Sequence, residues 1–344
     1  MIGVFQKKTS TLMTLVNKLL FIVFLIIITS CQERKEKTFV INGYTQGTTY
    51  SIKYHTKKNI ITKEYVDSLL DIFDLSMSAY VPNSTISKIN NNIDVSLDSL
   101  IFFVLSKSID FCYQTSGMFD VTVSPIVSDW GFGPSRKRKD LDNFDNSLYQ
   151  VGCDKIRLEG NKLIKQPLVK IDLNGIAQGY TVDYLADHFK HHDISDFMIE
   201  VGGEVICSRD NLGSQWKIGV DAPNHKSTPF AYVLKLTDMA LATSGSYRNF
   251  YYLDSTKISH TINPKKMLPA SNQLISATIL YKDCISADAY ATACMSFGLE
   301  SAKHFLNNNN ILGSLIYLDG GDTLYYFSEG FSSFLHKSPG SAPQ

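Results

Sequence analysis

Four short segments hold residues whose types and spacing suit chemistry on a phosphorylated ligand. In 286–293, SADAYATA, Asp288 and Thr292 stand four apart, so on a helix both side chains leave one face. A carboxylate beside a hydroxyl is an oxygen-only donor pair. It suits hard Mg²⁺, which keeps positions for water and phosphate oxygens. The same Asp would serve equally well as a cap or dipole partner at a helix N-terminus. In 172–179, DLNGIAQG, a strand-like run ends and Gly175 and Gly179 allow a close backbone approach before a helix begins. Such a helix start offers free N–H groups and a positive dipole end to phosphate, although glycine-rich turns of this kind are common. In 242–248, ATSGSYR, the hydroxyls of Thr243 and Ser244, Gly245 and the following Arg248 suit a loop that wraps a pyrophosphate, or an ordinary Ser/Thr turn. In 198–204, MIEVGGE, an apolar strand ends in two glycines and Glu204, which also describes a hairpin with an exposed carboxylate.

The elements that must position these groups follow from periodicity. Apolar residues at helical spacing predict helices over 63–75 and 97–113, with further helices over 177–189 and 287–297. Strand patterns occur at 39–44, 48–54, 155–158, 168–171, 197–201, 216–220, 231–236, 314–318 and 323–327. The last two are joined by Asp319-Gly320-Gly321-Asp322, a turn. Strand clusters interleaved with helices predict an α+β fold of mixed and antiparallel sheets with packed helices. It is not a doubly wound nucleotide fold, since no G-x-G-x-x-G follows a strand.

The chain has 344 residues, 44% of them apolar, with 33 basic and 33 acidic side chains. A zero formal charge provides no global field for nucleic acid, and none is expected as a partner. The one basic run, 136–139, is followed at once by Asp140 and Asp142 and reads as a solvated loop. Residues 1–30 read as a targeting segment: Lys7, Lys8 and Lys18, an apolar run over 19–28, then Thr29, Ser30 and Cys31. The run is short of the roughly 20 residues of a spanning helix. A lipoprotein signal cleaved before a lipid-bearing Cys31 accounts for this pattern; an uncleaved anchor is the alternative, and both place the remainder outside the cytoplasm. The expected organisation is a signal (1–30), a tether (31–38), the body of the protein (39–335) as one large or two intimate domains, and a tail (336–344). Cys112, Cys153, Cys207, Cys284 and Cys294 show no C-x-x-C or zinc-like spacing. They read as mostly buried small apolar residues, with a single unspecified bridge allowed.

Together and in this order the segments resemble the FAD:protein FMN transferase (ApbE) family. The resemblance runs through QGTTYS (46–51), SAYVPNSTISKIN (78–90), GMFDVTVSPIV with WGFG (117–133), DLNGIAQGYTVD (172–183), VGGE (201–204), LATSGSYRNF (241–250), SHTINP (259–264) and SADAYATA (286–293). It implies a T-fold-like architecture and an enzyme that moves FMN from FAD to a Thr or Ser hydroxyl of a target protein, releasing AMP. It implies Mg²⁺ held by Asp288, Thr292 and the Ala177 carbonyl, and His260 near the incoming hydroxyl, where a neutral imidazole suits a general base. Tyr80 and the Thr243–Ser246 stretch match flavin and pyrophosphate contacts. Asp172, Gly175, Gly179 and Glu204, with Asp221, are further nucleotide-binding candidates. The implied partner is an extracytoplasmic protein with a Thr flavinylation motif, reached from a lipid-anchored position. Many relatives have Lys where Gln178 stands, Asp where Asn263 stands, and Thr-Gly where Lys266-Met267 stand. Two other readings fit the same residues: an FAD pyrophosphatase giving FMN and AMP, and a non-catalytic FAD-binding lipoprotein.

Overall fold

The computed structural model describes residues 18, 36–134, 138, 150–209, 211–223, 230–247 and 249–337. The targeting segment apart from Lys18, Cys31, most of the basic run, Arg248 and the tail from 338 lie outside these residues. The chain divides into two units, Met1–Lys37 and Thr38–Gln344. Only Lys18, Glu36 and Lys37 are described in the first, and the second holds the sheets, the helices and the cores. Among the described residues no helix is long and apolar enough to cross a membrane.

The strands run β1 (Lys37–Thr45), β2 (Thr48–Thr56), β3 (Ile156–Glu159), β4 (Lys162–Lys165), β5 (Asp196–Val201), β6 (Glu204–Ser208), β7 (Trp216–Asp221), β8 (Phe230–Leu236), β9 (Met239–Gly245), β10 (Phe250–Leu253), β11 (Thr256–Ser259), β12 (Ile262–Asn263), β13 (Leu268–Pro269), β14 (Leu274–Tyr281), β15 (Leu312–Asp319), β16 (Asp322–Phe327) and β17 (Leu335–Lys337). The helices are α1 (Lys63–Met77), α2 (Thr85–Asn90), α3 (Ser99–Gln114), α4 (Ser124–Asp129), α5 (Ala177–His191), α6 (Cys284–Phe297) and α7 (Leu299–Asn308). One eight-stranded sheet, in the order β1-β2-β5-β6-β9-β14-β15-β16, forms the centre, and β17-β8-β7 form a smaller one. From β2 to β16 neighbours in the large sheet are antiparallel. The α+β expectation therefore holds.

Alternation along the central strands explains the layering, because successive side chains point to opposite faces. Ala242, Ala277 and Ile279 face the helices and join the core built on α6 and α3. Leu241, Leu280 and Ile316 face the smaller sheet with Trp216, Leu234 and Phe331. A third cluster packs α1 and α5 on β2 and β5 through Val66, Leu70, Val182, Leu185, Ile52 and Ile199. α6 carries Ala287, Ala289, Ala291 and Ala293, all buried. A helix buried on nearly every side belongs in an interior, and small side chains let its neighbours come close.

Side chains just ahead of the helices close their first turns. Thr62 accepts from Tyr65 N, Asp98 from Leu100 N and Ile101 N, and Asp283 from Ser286 N, each capping its helix. Two expectations about the elements fail. The run 168–171 is turn and coil, while Lys162–Lys165 forms the strand that pairs with β3. Val169 and Ile171 are apolar because they are buried under the helices, not because they pair in a ladder. The 242–248 segment is not a wrapping loop from its start, since β9 runs through Gly245 and pairs with β14. Among the described residues there is one bridge, Cys112–Cys153, as the sequence allowed, while Cys207, Cys284 and Cys294 are free and buried.

Candidate functional site

The centre of the candidate site is the contact between the start of α5 and the face of α6. A Cβ on Gly179 would lie 2.5 Å from the Cys284 carbonyl oxygen and 2.8 Å from Asp288 Cβ, and one on Gly175 would lie 2.9 Å from Thr292 Oγ1. Glycine at both positions is what allows this approach. Gly175 abuts Thr292 and Gly179 abuts Asp288, and Ala177 is midway between these two glycines in the chain. Asp288 is not the cap of its helix; Asp283 fills that place. Instead, buried Asp288 accepts through Oδ2 from Gly179 N at 3.0 Å. Burial away from water pushes its carboxyl up to about 7.

The fastening is reciprocal. Asp183, one helical turn beyond Gly179, accepts Cys284 N and Ile285 N at 2.8 Å each, so α5 supplies a second carboxylate to the open N–H groups of α6. Burial raises Asp183 to about 7 as well. In the sequence Asp183 stands out only as part of a motif. The available signal is its spacing, four residues after Gly179 and on the same helical face. The Ala177 carbonyl accepts the Thr181 hydroxyl at 2.9 Å, and Thr181 Oγ1 in turn accepts Gln46 Nε2 at 2.8 Å. This contact ties the QGTTYS turn to the start of α5.

Further motifs meet at the same place. Asn90 donates to Ile171 O at 2.8 Å and accepts Ile171 N at 2.7 Å, holding the segment that enters the turn. Asp172 N donates to Val121 O at 2.7 Å, and Asp172 Oδ1 accepts Asn174 N at 2.8 Å, closing the turn. Burial raises the Asp172 carboxyl above the usual range. Ser244 Oγ lies 3.3 Å from Thr292 Oγ1. Thr243 points to the opposite face of β9, where its hydroxyl lies 2.9 Å from Thr278 Oγ1. Of the two hydroxyls, Ser244 is the one beside Thr292. Gly202, at φ +64°, opens the two-residue β5–β6 turn, and a Cβ there would meet Gln178 Nε2 at 2.9 Å. Gln178 therefore lies over the VGG turn. Glu204, expected as an exposed hairpin carboxylate or a ligand, is buried. Tyr80, in the turn after α1, is 57% exposed. Asp221 ends β7 in the smaller sheet.

His260 follows β11, and its ring meets Phe132 edge-on at 6.2 Å. Its Nδ1 lies 3.1 Å from Asn249 O. With Nδ1–H donating to that carbonyl, Nε2 keeps its lone pair. Burial lowers the ring's pKa, with the Asn249 carbonyl opposing, so the neutral form dominates at pH 7. The segment after His260 is fixed to α6: Asn263 Nδ2 donates to Ser296 O at 3.0 Å, and Ser296 Oγ donates to Ile262 O at 3.0 Å. Ser296 stands one turn beyond Thr292. Asn263 also accepts Lys266 N at 2.9 Å. An Asp here could not donate to Ser296, which gives the Asn at this position a structural reason.

The chain matches the model of the ApbE family over residues 46–315. It is 32% identical over 334 residues to the FAD:protein FMN transferase of Vibrio cholerae, covering 93% of this chain and 99% of that protein. It is 31% identical to the FAD:protein FMN transferase of Haemophilus influenzae, covering 88% and 92%. Among solved structures, the flavin transferase ApbE from Vibrio cholerae superposes with a TM-score of 0.77 at 30% identity, covering 87% of this chain and all of that one. The apo flavinyl transferase ApbE of Pseudomonas stutzeri superposes with a TM-score of 0.78 at 26% identity, covering 87% and 97%.

Proposed function

This chain belongs to the ApbE family and is an FAD:protein FMN transferase; from that premise we propose that it moves FMN from FAD to a Thr or Ser hydroxyl of an acceptor protein, releasing AMP, with Mg²⁺ held by Asp288, Thr292 and the Ala177 carbonyl. The observation that carries the metal assignment is the Asp288 carboxylate. It is buried, has a neutral N–H as its hydrogen-bond donor, and is raised to about 7 by burial, as expected of a group built to face a cation. The donor set is one carboxylate, one hydroxyl and one main-chain carbonyl, which fits a hard ion.

When bound, Mg²⁺ supplies positive charge against the phosphate oxygens, where negative charge builds during phosphoryl transfer. The chain's own residues do the rest. Gly175 and Gly179 let the backbone at the start of α5 come close, and the positive end of that helix favours the pyrophosphate. Ser244 places a hydroxyl beside Thr292. His260 takes the proton of the acceptor hydroxyl on Nε2 while Asn249 O holds Nδ1–H. A lipid-modified Cys31 and an extracytoplasmic, membrane-bound position belong to the same proposal, carried by the 1–31 sequence pattern.

The test incubates the protein with FAD, Mg²⁺ and an acceptor bearing the Thr motif. A fluorescent covalent flavin adduct with stoichiometric AMP is expected. FMN and AMP without adduct would instead make the chain a pyrophosphatase, and FAD binding without AMP would make it a carrier. His260→Ala is expected to lower adduct formation by about 10²- to 10⁴-fold, the range for a general base.

The pH dependence follows from the same groups. Asp288 must be ionised to hold a cation, so transfer falls as pH drops through about 7 at limiting Mg²⁺. Excess Mg²⁺ displaces the proton and moves that acid limb to lower pH, whereas loss of the His260 base is insensitive to Mg²⁺. Rate–pH profiles at two Mg²⁺ concentrations check this; superimposable profiles would count against the Asp288 assignment.

A further inference from the structure

We propose that Cys112, Cys153 and Asp120 form a redox-gated site for a thiophilic divalent cation of the zinc class, closed while the two cysteines are joined and opened when they are reduced. One sulfur from each cysteine and one carboxylate oxygen of Asp120 all lie within 4.8 Å of one another. Ligands on a tetrahedral zinc-like ion, with metal–sulfur bonds of about 2.3 Å, stand roughly 3.5–3.8 Å apart. The Asp120 oxygen already lies within reach of both sulfurs, which part to that spacing once reduction breaks the bond between them. The cysteine Cα atoms are 6.3 Å apart, one at the end of α3 and the other just before β3.

Asp120 is what distinguishes this place from an ordinary bridge. It is 7% exposed, and burial raises its carboxyl, with the like charge of Asp154 adding to the effect. Its Oδ1 accepts Thr122 N at 2.8 Å and Thr122 Oγ1 at 2.6 Å, which fixes the group's orientation as supporting donors do for metal-binding carboxylates. Thr122 Oγ1 also accepts Gly152 N at 2.8 Å, next to Cys153. Val121 between them accepts Asp172 N. The cluster thus borders the turn that leads to Gly175, and a cation here replaces the covalent staple on that border.

Opening the site takes two electrons and two protons from a dithiol reductant, which is itself oxidised to a disulfide. The two thiols then release their protons to solvent as the cation binds, because the thiolate is the ligand.

The experiment uses the full chain, reduced with a dithiol, freed of reductant without air, and titrated with Co²⁺ as the spectroscopic probe. One equivalent with a thiolate-to-cobalt charge-transfer band is expected. The band should be absent in the oxidised protein and in reduced Cys112→Ser. Asp120→Asn, which keeps both cysteines, is expected to weaken binding at least about tenfold. A band that persists in Cys112→Ser would place the cobalt on Cys31, Cys207, Cys284 or Cys294 and overturn the proposal. Absence of a band in the reduced parent would overturn it too, whether or not circular dichroism shows the fold retained. Oxygen-only binding at Asp288 gives no thiolate band, so the outcome is independent of the Mg²⁺ assignment.

Discussion

Asp288→Asn is expected to lower FMN transfer by about 10³-fold, the scale of losing several kcal/mol of metal stabilisation, while the metal-free variant is at least as stable as the parent. Asparagine keeps an oxygen that can accept Gly179 N and nearly the same volume, so the α5–α6 contact survives. What disappears is the charge. The folded-state pKa of Asp288 is raised from 3.8 to about 7. The ionised carboxylate therefore costs no stability below the usual carboxylate range. Its cost grows as pH rises from about 4 to 7 and is complete above that. At pH 8 the metal-free parent carries the full penalty and the variant carries none. Thermal melts at pH 8 in chelator and in excess Mg²⁺ check both halves. The parent's Tm should rise with Mg²⁺, as binding to the folded state requires, and the variant's should not. A variant with full activity would remove Asp288 from the site.

Gly179→Ala is expected to destabilise the protein by about 1–3 kcal/mol, the usual cost of overpacking a core, and to abolish transfer. Two effects oppose each other. Alanine in a helix interior is favoured over glycine by about 1 kcal/mol, and Gly179 has ordinary helical backbone, so propensity alone predicts a gain. The added methyl, however, would sit 2.5 Å from the Cys284 carbonyl oxygen and 2.8 Å from Asp288 Cβ. Neither is the far end of a flexible side chain. The helices must separate, which breaks the Gly179–Asp288 hydrogen bond and moves the start of α5 away from Asp288 and Thr292. Denaturant melts and AMP release measure the two consequences. A stabilised, active Gly179→Ala would show that the close approach is not needed.

Much of this arrangement could be read from the chain. The periodicities over 63–75 and 97–113 marked two helices and the sides that are buried. β5, β7, β8 and the β15–β16 hairpin followed from β-branched and aromatic runs and their turns. Less legible were β9 and β14. Both are central strands covered on both sides, so neither shows alternation, and the Thr, Ser, Gly and Ala content of β9 resembles a turn. The run 168–171 failed for the converse reason, since buried coil is as apolar as a strand.

The spacing of Asp288 and Thr292 determined by itself that both oxygens share one face of a helix, since that follows from 3.6 residues per turn. It left open whether the pair was a cap or a site. That choice was tertiary. Asp283 occupies the cap, and the start of α5, more than a hundred positions earlier, lies against the very face that carries both side chains. Likewise the residue types of Asp183, Asn90 and Ser296 said little alone. Each acts on a partner distant in sequence: the N-terminus of α6, the Ile171 backbone and the segment after His260. Local spacing is set by backbone geometry and is visible in one dimension. Which distant backbone group satisfies a buried polar side chain is decided only when the layers close and water is excluded.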